Sequence, residues 1–463
     1  MREASWNEVT SGATSGHGAQ ALSPSWIRIL LVSGYLFVSF VIIEHEFSQA
    51  GASIELQDEE EILDRNTAGA EQGNKLRALT LLAFAGLGAV TILSGKLAPW
   101  NPHRLAFGLL IALVVWAGLS VGWAAIPGLA LRRLIAWLCF VIGCFGLGRI
   151  LTPREVVRVA LVSLVAMIFM SFSADLLAGA GPWQSGYRFS GTLHPNVQAT
   201  YCTALCLAAF CLAYDFRPAT LCHVVWISGV ALIYFTGSRT ALLASLLAIY
   251  AAWLLRQRVT VRAMTLGAGV MVMGVLLTTF YVMKPGDQRQ LTGAALLGRT
   301  EKAGSLSGRV PLWMELRHYA ETRPIQGHGY DSFWTPKVME EMLDSQKWTM
   351  TSAHNIYLET VLQLGFVGLG LGLALTLVTL ALAKSRFDAT GDAAFQFAFG
   401  LIIYAMLNGL LEAHFLRPKY PTALALMGFA SLVLYRPKKA EAADAWEYEE
   451  ADQPRAAMAG GVA

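Results

Sequence analysis

Long apolar stretches recur through most of this 463-residue chain, and they constrain its fold more than any other feature of the sequence. Each is about 17–25 residues long, the length that an α-helix needs to cross the hydrocarbon core of a bilayer. Because every backbone hydrogen bond must be made internally in that core, a helix is the expected structure. The sequence therefore predicts an all-α integral membrane protein with about 12 transmembrane helices. The predicted spans are residues 26–44, 77–94, 104–124, 132–149, 156–178, 197–214, 220–236, 239–256, 261–283, 355–383, 393–415 and 420–436.

Composition excludes the common soluble classes. Only 14% of the residues are charged, against about 25% in typical soluble domains. The net charge of +3 is spread along the chain, so no basic face indicates nucleic-acid binding. The cysteines lie in or beside apolar stretches, which predicts packing roles rather than a disulfide framework or a zinc site. They are Cys139, Cys144, Cys202, Cys206, Cys211 and Cys222.

Lysine and arginine in the loops set the predicted orientation. With the N-terminus in the cytoplasm, most of them fall in cytoplasmic loops, whereas an acidic stretch at 58–61 falls outside. No cleavage site follows the first apolar stretch, so we expect it to be retained as a span. The predicted divisions are a cytoplasmic N-terminal segment 1–25, transmembrane helices one to nine within 26–283, a large periplasmic loop 284–354, transmembrane helices ten to twelve within 355–436, and a disordered cytoplasmic tail 437–463.

The large loop carries helical signals of its own. Apolar residues at helical spacing predict an amphipathic helix over 309–322, lying on the membrane or on the helix bundle. The pair Thr335-Pro336 is typical of a helix cap and first turn, and predicts a second short helix that continues to about residue 344.

Arginines stand out among the polar residues predicted to lie outside. Arg188, Arg239 and Arg309 belong to three separate segments, and a guanidinium group donates two parallel hydrogen bonds to phosphate oxygens. The functional interpretation is that they converge on one polyanionic ligand. The structural alternative is that each anchors its helix end to lipid headgroups.

Histidine supplies the candidate base. His354 lies at the mouth of the tenth predicted span, and an imidazole exchanges protons near neutral pH. A satisfied surface histidine is the structural alternative, and His194, His318 and His328 are rivals for the same role. Glu359 is a candidate partner of His354.

Other residues near the large loop and the later spans are candidates for supporting roles. Glu412 and His414, near the outer end of the eleventh span, are candidates to orient His354 or to bind sugar, and simple placement at the membrane interface is the structural alternative. Gly308, Gly327 and Gly329 would let the backbone approach a bulky ligand closely. For Trp313 the spacing favours anchoring at the interface over stacking on substrate.

Four motifs in order resemble the O-antigen ligase and polymerase superfamily. His354-Asn355, nine further residues, then Gly365-x-x-Gly368 resembles its His-Asn signature. The other matches are Arg188 with Pro195-Asn196, the turn Gly237-Ser238-Arg239, and Gly308-Arg309 with Trp313, Pro324, Gly327 and Gly329. The resemblance covers roughly residues 100–430.

The resemblance implies a glycosyltransferase of the bacterial inner membrane whose active site faces the periplasm. The donor would be an undecaprenyl-pyrophosphate-linked glycan, and the acceptor a glycan hydroxyl or lipid A core. His354 would take the acceptor proton, with inversion at the anomeric carbon, while Arg188, Arg239 and Arg309 hold the pyrophosphate. Asn355, His194 and Asn196 would support them. No cofactor or metal is expected, and the implied protein partners are a flippase and a chain-length regulator.

Alternatives within and outside this class stay open. A polymerase of exopolysaccharide or O-antigen repeat units is favoured slightly over an O-antigen ligase, because the stretch 191–196 resembles exopolysaccharide polymerases. A protein glycosyltransferase, which would move the glycan to Ser or Thr, is the third alternative. It is less favoured, because such enzymes usually have extra C-terminal sequence that is missing here. A flippase or exporter would place polar residues at the midplane of the bilayer, whereas the predicted spans are nearly free of charge there.

Overall fold

The computed structural model describes residues 24–47, 74–94, 102–215, 219–282, 308–347 and 350–434. Several predicted features lie outside these ranges: most of the N-terminal segment 1–25, the acidic stretch 58–61, the first part of the large loop at 284–307, and the tail 437–463. Within the described ranges the chain forms fourteen α-helices and no β-strand.

Twelve of these helices coincide with the apolar stretches. They are α1 Pro24–Glu44, α2 Lys75–Leu93, α3 Arg104–Ser120, α4 Pro127–Ile150, α5 Pro153–Leu177, α6 Pro195–Leu212, α7 Ala219–Phe235, α8 Arg239–Leu255, α9 Val259–Val282, α12 Ile356–Thr390, α13 Ala393–Asn408 and α14 Tyr420–Leu434. Seven are long and apolar enough to cross a membrane, namely α1 to α6 and α12, and α7, α8, α13 and α14 are shorter apolar helices. The prediction of an all-α membrane protein is confirmed, and the number of spans stays a prediction.

Helix α13 ends earlier than its apolar stretch predicts. It stops at Asn408 rather than at residue 415, and a short 3-10 turn, His414–Leu416, follows. The carbonyl of Gly409 accepts from the backbone N–H of Ile356 at 2.8 Å, so the segment after α13 is paired with the start of α12. Residues 409–416 therefore leave the helix and cross the end of the bundle.

Helix α6 forms the centre of the bundle. Every residue from Val197 to Leu212 is buried, and the helix packs against α5, α7, α8 and α13. Its first turn begins at Pro195, and the side chain of His194 caps it by accepting from the N–H of Asn196. Because this packing holds α6 in place, it also fixes the position of the 188–196 segment that leads into α6.

Contacts between helix ends define two faces. At one, called the site face here, Glu44 at the end of α1 accepts from the hydroxyl of Tyr201 at 2.9 Å and from the N–H of Tyr420. At the opposite face, Arg154 pairs with Asp392 at 3.0 Å. Helices α2, α4, α6, α8, α12 and α14 begin at the site face.

Two amphipathic helices from the large loop, α10 Arg309–Thr322 and α11 Pro336–Gln346, cover part of the site face. The side chain of Thr335 caps α11 by accepting from the N–H of Val338, which confirms the predicted cap. Leu312 and Leu316 of α10 share an apolar cluster with Leu362 of α12. Helix α10 therefore lies on the bundle, one of its two predicted locations.

The 324–329 segment of the loop joins α12 where that helix is kinked. Gly365, inside α12, has φ +65°. There the N–H groups of His328 and Gly329 donate to carbonyls of Leu362 and Gln363, and the N–H of Phe366 donates to the carbonyl of Pro324. The loop thus satisfies backbone groups that the kink frees from the helix.

Candidate active site

A buried carboxylate stands at the centre of the predicted site. Glu412 is 2% exposed and accepts a hydrogen bond from Asn196 Nδ2 at 2.6 Å. Arg309 Nη2 lies 2.5 Å from its Oε1, while His354 Nδ1 and His414 Nε2 each lie 3.2 Å from its Oε2. The α6 first turn, the α10 first turn, the segment before α12 and the segment after α13 meet at this carboxylate.

The charges around Glu412 keep it ionised. Burial alone would raise the pKa of Glu412, but His414, His354 and Arg309 lower it to about 2. A carboxylate only accepts hydrogen bonds, so His354 Nδ1 must carry the proton that it shares with Glu412. In this tautomer the lone pair of the His354 ring is on Nε2, which can accept a proton.

The backbone of His354 is held in an unusual conformation. Its φ is +48°, in the left-handed region that side-chain-bearing residues rarely adopt. The preceding residue, Ala353, is fixed at both polar atoms: its N–H donates to Glu359 Oε2 at 2.7 Å, and its carbonyl accepts from Trp313 Nε1 at 2.8 Å. These buried contacts maintain a conformation that costs about 1–3 kcal/mol.

Glu359 therefore reaches His354 only through the backbone of Ala353. It accepts from Trp334 Nε1 at 3.0 Å and from Gln363 Nε2 at 2.7 Å, in addition to Ala353. Its contact with His354 runs through the Ala353 backbone, whereas the carboxylate against the imidazole belongs to Glu412. The predicted partnership of Glu359 with His354 is thus indirect.

Asn355 is a helix cap. Its Oδ1 accepts from the N–H groups of Tyr357 and Leu358, both at 2.9 Å, at the start of α12. Its Nδ2 donates to the carbonyl of Leu410 at 3.0 Å. Asn355 therefore ties the His354 segment to the segment that carries Glu412, and its supporting role in catalysis stays a prediction.

Arg188 and Arg239 meet at the turn between α7 and α8. Arg188 Nε donates to the carbonyl of Thr236 at 3.1 Å. The turn passes through Gly237 with φ +66°, and Arg239 is the first residue of α8. The two arginines thus lie at one corner of the site face, although 51 positions separate them in the sequence.

His194 lies between the arginine corner and the Glu412 cluster. Its side chain is exposed, and the charges of Glu412, Arg188 and His354 all act on it. The other rivals lie elsewhere: His318 is exposed on α10, and His328 Nε2 is 3.1 Å from the carbonyl of Tyr319. Among the predicted rivals, His194 alone shares the surroundings of His354.

Two of the three glycines predicted to approach a ligand, Gly327 and Gly329, pack the large loop against the bundle. A Cβ on Gly327 would lie 2.5 Å from the carbonyl oxygen of Gln363, and one on Gly329 would lie 2.6 Å from the Ala124 Cβ. These glycines let the loop approach α12 and the end of α3 rather than a ligand. Trp313 has a contact that its spacing did not predict, because its Nε1 donates to the carbonyl of Ala353.

Glu412 is the residue whose importance sequence reasoning underestimated. His354 and Glu412 are 58 positions apart, and their contact depends on α13 ending at Asn408. A signal did exist, since two ionisable residues, Glu412 and His414, stand in an otherwise apolar stretch. Within the described ranges, His, Cys, Asp and Glu side chains form no group of three suited to a metal ion.

Comparison with known proteins finds a matching family model and a similar protein. A family model described as O-antigen ligase matches residues 223–373, which include Arg239, Arg309 and His354. The chain is also similar to the exopolysaccharide production protein ExoQ of Rhizobium meliloti (strain 1021). The two are 25% identical over 337 residues, which are 63% of this chain and 72% of that protein. Arg188, Asn196 and Glu412 lie outside the family match.

Proposed function

Starting from the now confirmed resemblance to the O-antigen ligase and polymerase superfamily, we propose that this chain is a glycan-joining enzyme of the bacterial inner membrane. It takes an undecaprenyl-pyrophosphate-linked glycan as donor and polymerises exopolysaccharide or O-antigen repeat units at the periplasmic face. The single observation that carries the proposal is the His354–Glu412 pair, with Arg309 on the same carboxylate and Arg188 and Arg239 nearby.

His354 is the base in the proposed transfer. Its Nε2 takes the proton of the acceptor hydroxyl as that oxygen attacks the anomeric carbon of the donor. The bond between that carbon and the pyrophosphate oxygen breaks on the opposite side, so the configuration inverts and the lipid pyrophosphate leaves. Glu412 holds the imidazole in place and stabilises the imidazolium that forms.

The arginines stabilise the leaving group. Charge develops on the pyrophosphate as its bond to carbon breaks, and fixed guanidinium groups at a water-poor site favour that charge strongly. Arg188 and Arg239 provide this at the corner beside α8. Arg309 uses one Nη atom on Glu412, so it links the base to the leaving-group side of the site. In this proposal no divalent cation or other cofactor is needed.

The polymerase is preferred to the ligase on one observation. The relative found by comparison is named for exopolysaccharide production, and a polymerase builds such a polymer from repeat units. Transfer of a finished chain to lipid A core is the alternative. A deletion strain separates them: loss of a polymerase leaves single repeat units, whereas loss of a ligase leaves long chains on the carrier lipid.

Transfer by the purified protein tests the proposal. Given lipid-linked glycan in detergent, we expect product to form equally with and without EDTA. His354→Gln should lower the rate by roughly 10²–10⁴-fold because the base is lost. Arg309→Lys keeps the charge but removes the planar fork, and should lower the rate roughly 10²-fold.

The matched control is Arg317→Gln, because Arg317 is 79% exposed on the same helix as Arg309 and pairs only with the exposed Glu321 among the described residues. It should transfer at the wild-type rate. Absence of transfer by the wild-type protein would favour a flippase or exporter instead. Near wild-type activity of Arg309→Lys would mean that only the positive charge of Arg309 is needed and not its planar fork.

A further inference from the structure

A second group of cations lies at the site face, away from the arginines assigned to the donor. We call Arg77, Arg133, Arg417 and Lys419 the second cation cluster. The charges of Arg133 and Arg417 act on Arg77, and those of Arg77 and Arg417 act on Lys419. The described carboxylates whose charges act on them are Glu44, Asp331 and Glu412, so four positive charges face three negative ones, and Arg309 also pairs with Glu412.

Close helix packing brings part of this cluster together. A Cβ on Gly146 of α4 would lie 2.3 Å from the Gly88 Cα of α2, so these helices touch backbone to backbone. Both helices begin at the site face, where Arg77 lies in the first turn of α2 and Arg133 in the second turn of α4. The two helices thus run in the same direction in close contact, which places Arg77 and Arg133 at neighbouring helix starts on the site face.

The members of the cluster differ in the ion pairs and hydrogen bonds that they make with the protein. Arg133 pairs with Asp331 at 3.6 Å, and Arg417 Nη2 donates to the carbonyl of Thr351 at 2.6 Å. Burial lowers the pKa of Lys419, and the nearby Arg417 and Arg77 lower it further. The side chain of Arg77 is exposed, and its guanidinium makes no hydrogen bond or close ion pair with the described residues.

Such an arrangement is costly without an anion. Like charges at short range repel one another, more strongly where water is partly excluded. Arginine that is not engaged by protein groups offers its fork to phosphate oxygens. The excess of positive charge and the available guanidinium of Arg77 therefore indicate an anionic ligand at this cluster.

The cluster and the donor arginines lie at the ends of different helices of the site face. Arg188 and Arg239 lie at the end of α7 and the start of α8, whereas Arg77 and Arg133 lie at the starts of α2 and α4. Central helix α6 and the 409–419 segment stand between them. Lys419 connects the two sides, since its charge acts on Glu44 and Arg77 as well as on Glu412.

We propose that the second cation cluster binds a phosphate of the acceptor, an inference that rests on the proposed glycan transfer. The acceptor is then itself a lipid-linked glycan that carries phosphate, such as a prenyl-pyrophosphate-linked repeat unit or a phosphorylated lipid A core. Two phosphate-anchored substrates are held at different helix ends of the site face, with the acceptor hydroxyl reaching the imidazole from the α2 side.

Titration with a short-chain prenyl pyrophosphate in detergent tests the second site without any requirement for transfer. We expect two binding sites per chain. Arg77→Gln should weaken one of them by about tenfold or more, and Arg239→Gln should weaken the other. Lys75→Gln, an equal change of charge at an exposed residue in the same turn of α2, is the matched control and should leave both intact. A single site, or two sites indifferent to Arg77, would overturn the proposal.

Acceptor preference tests its role. Three acceptors with the same terminal sugar are compared: on prenyl pyrophosphate, on phosphorylated lipid A core, and on a neutral octyl chain. The wild-type protein should have a KM about tenfold lower for one phosphate-bearing acceptor, and Arg77→Gln should lose that preference with kcat and the donor KM unchanged. Which acceptor is preferred distinguishes polymerase from ligase.

The outcomes separate this inference from the function on which it rests. Equal use of the neutral acceptor by the wild-type protein would remove the inference and leave glycan transfer standing. Transfer to none of the three would count against the proposed function, and the binding titration would still decide whether the second site exists. Displacement of the prenyl pyrophosphate by phosphatidylglycerol at similar concentration would show a headgroup site, and would overturn the acceptor role.

Discussion

At the scale of single residues, Glu412 determines how His354 can act. The imidazole of a histidine has two nitrogens, and a base needs the proton on one and the lone pair on the other. Because Glu412 is ionised and accepts from Nδ1, it selects this tautomer. Asn196 and Arg309 hold the carboxylate from the other side. The site thus resembles a carboxylate–histidine pair whose orientation is fixed before substrate binds.

Replacement of Glu412 tests this role. Glu412→Gln has nearly the same shape but carries no charge, so it neither selects the tautomer nor stabilises the imidazolium. We expect kcat to fall by roughly 10²–10⁴-fold, while binding of prenyl pyrophosphate is retained. Glu412→Asp keeps the charge at a shorter reach and should recover part of the rate. Glu321→Gln, on the exposed face of α10, is the control.

The same variant has a distinct pH signature. The pKa of Glu412 is lowered to about 2 from an ordinary 4.5, so its ionised form stabilises the fold above about pH 4.5, and this contribution is lost as the pH falls toward 2. Thermal unfolding should therefore show a large deficit of Glu412→Gln at pH 7 that shrinks below pH 4.5. A deficit independent of pH would mean that packing, rather than charge, explains the loss.

At the scale of elements, the kink of α12 couples the large loop to the helix that carries His354. A Cβ on Gly365 would lie 2.0 Å from the carbonyl oxygen of Ile325, and its φ of +65° disfavours a side chain as well. Gly365→Ala should lower stability by about 1–3 kcal/mol and release the 324–329 segment. Faster proteolysis within residues 324–335 and a lower midpoint of thermal unfolding would report this.

Gly370→Ala is the matched control for that experiment. Gly370 lies on the same helix, has no positive φ, and a Cβ there would meet nothing within 4 Å. We expect its unfolding midpoint to equal or exceed that of the wild-type protein, because alanine favours helix over glycine. Equal destabilisation of the two variants would show that α12 tolerates no change, and would remove the argument for the kink.

The elements also show what a sequence can predict. Bilayer thickness fixes helix length, so apolar stretches alone located twelve helices, while helical spacing located α10 and a cap pair located α11. The contact of the 324–329 segment with α12 was not predictable, since glycines that serve a close approach do not specify what approaches. For the same reason the pairing of Glu412 with His354 became evident only from the fold. The residue types at the site, in contrast, were predictable from the sequence.

At the scale of the whole molecule, everything proposed depends on which side of the membrane the site face occupies. Arg149, Arg256 and Arg262 lie at helix ends of the opposite face, and such an excess of positive charge is typical of the cytoplasmic side. The site face also carries arginines, contrary to this tendency, but several of them have contacts at the candidate site. The balance predicts that the site face is periplasmic, where the finished lipid-linked glycan is available.

Cysteine labelling in intact cells tests this orientation. Gln184→Cys, near Arg188, and Glu340→Cys, on α11, place thiols at exposed positions of the site face, and a membrane-impermeant maleimide should modify both. Arg258→Cys and Asp388→Cys are exposed at the opposite face and should react only after permeabilisation. The native cysteines are mostly buried, which keeps the background low. Labelling of Gln184→Cys and Glu340→Cys from different sides would separate Arg188 from His354, and no single pocket would then contain the base and the leaving group.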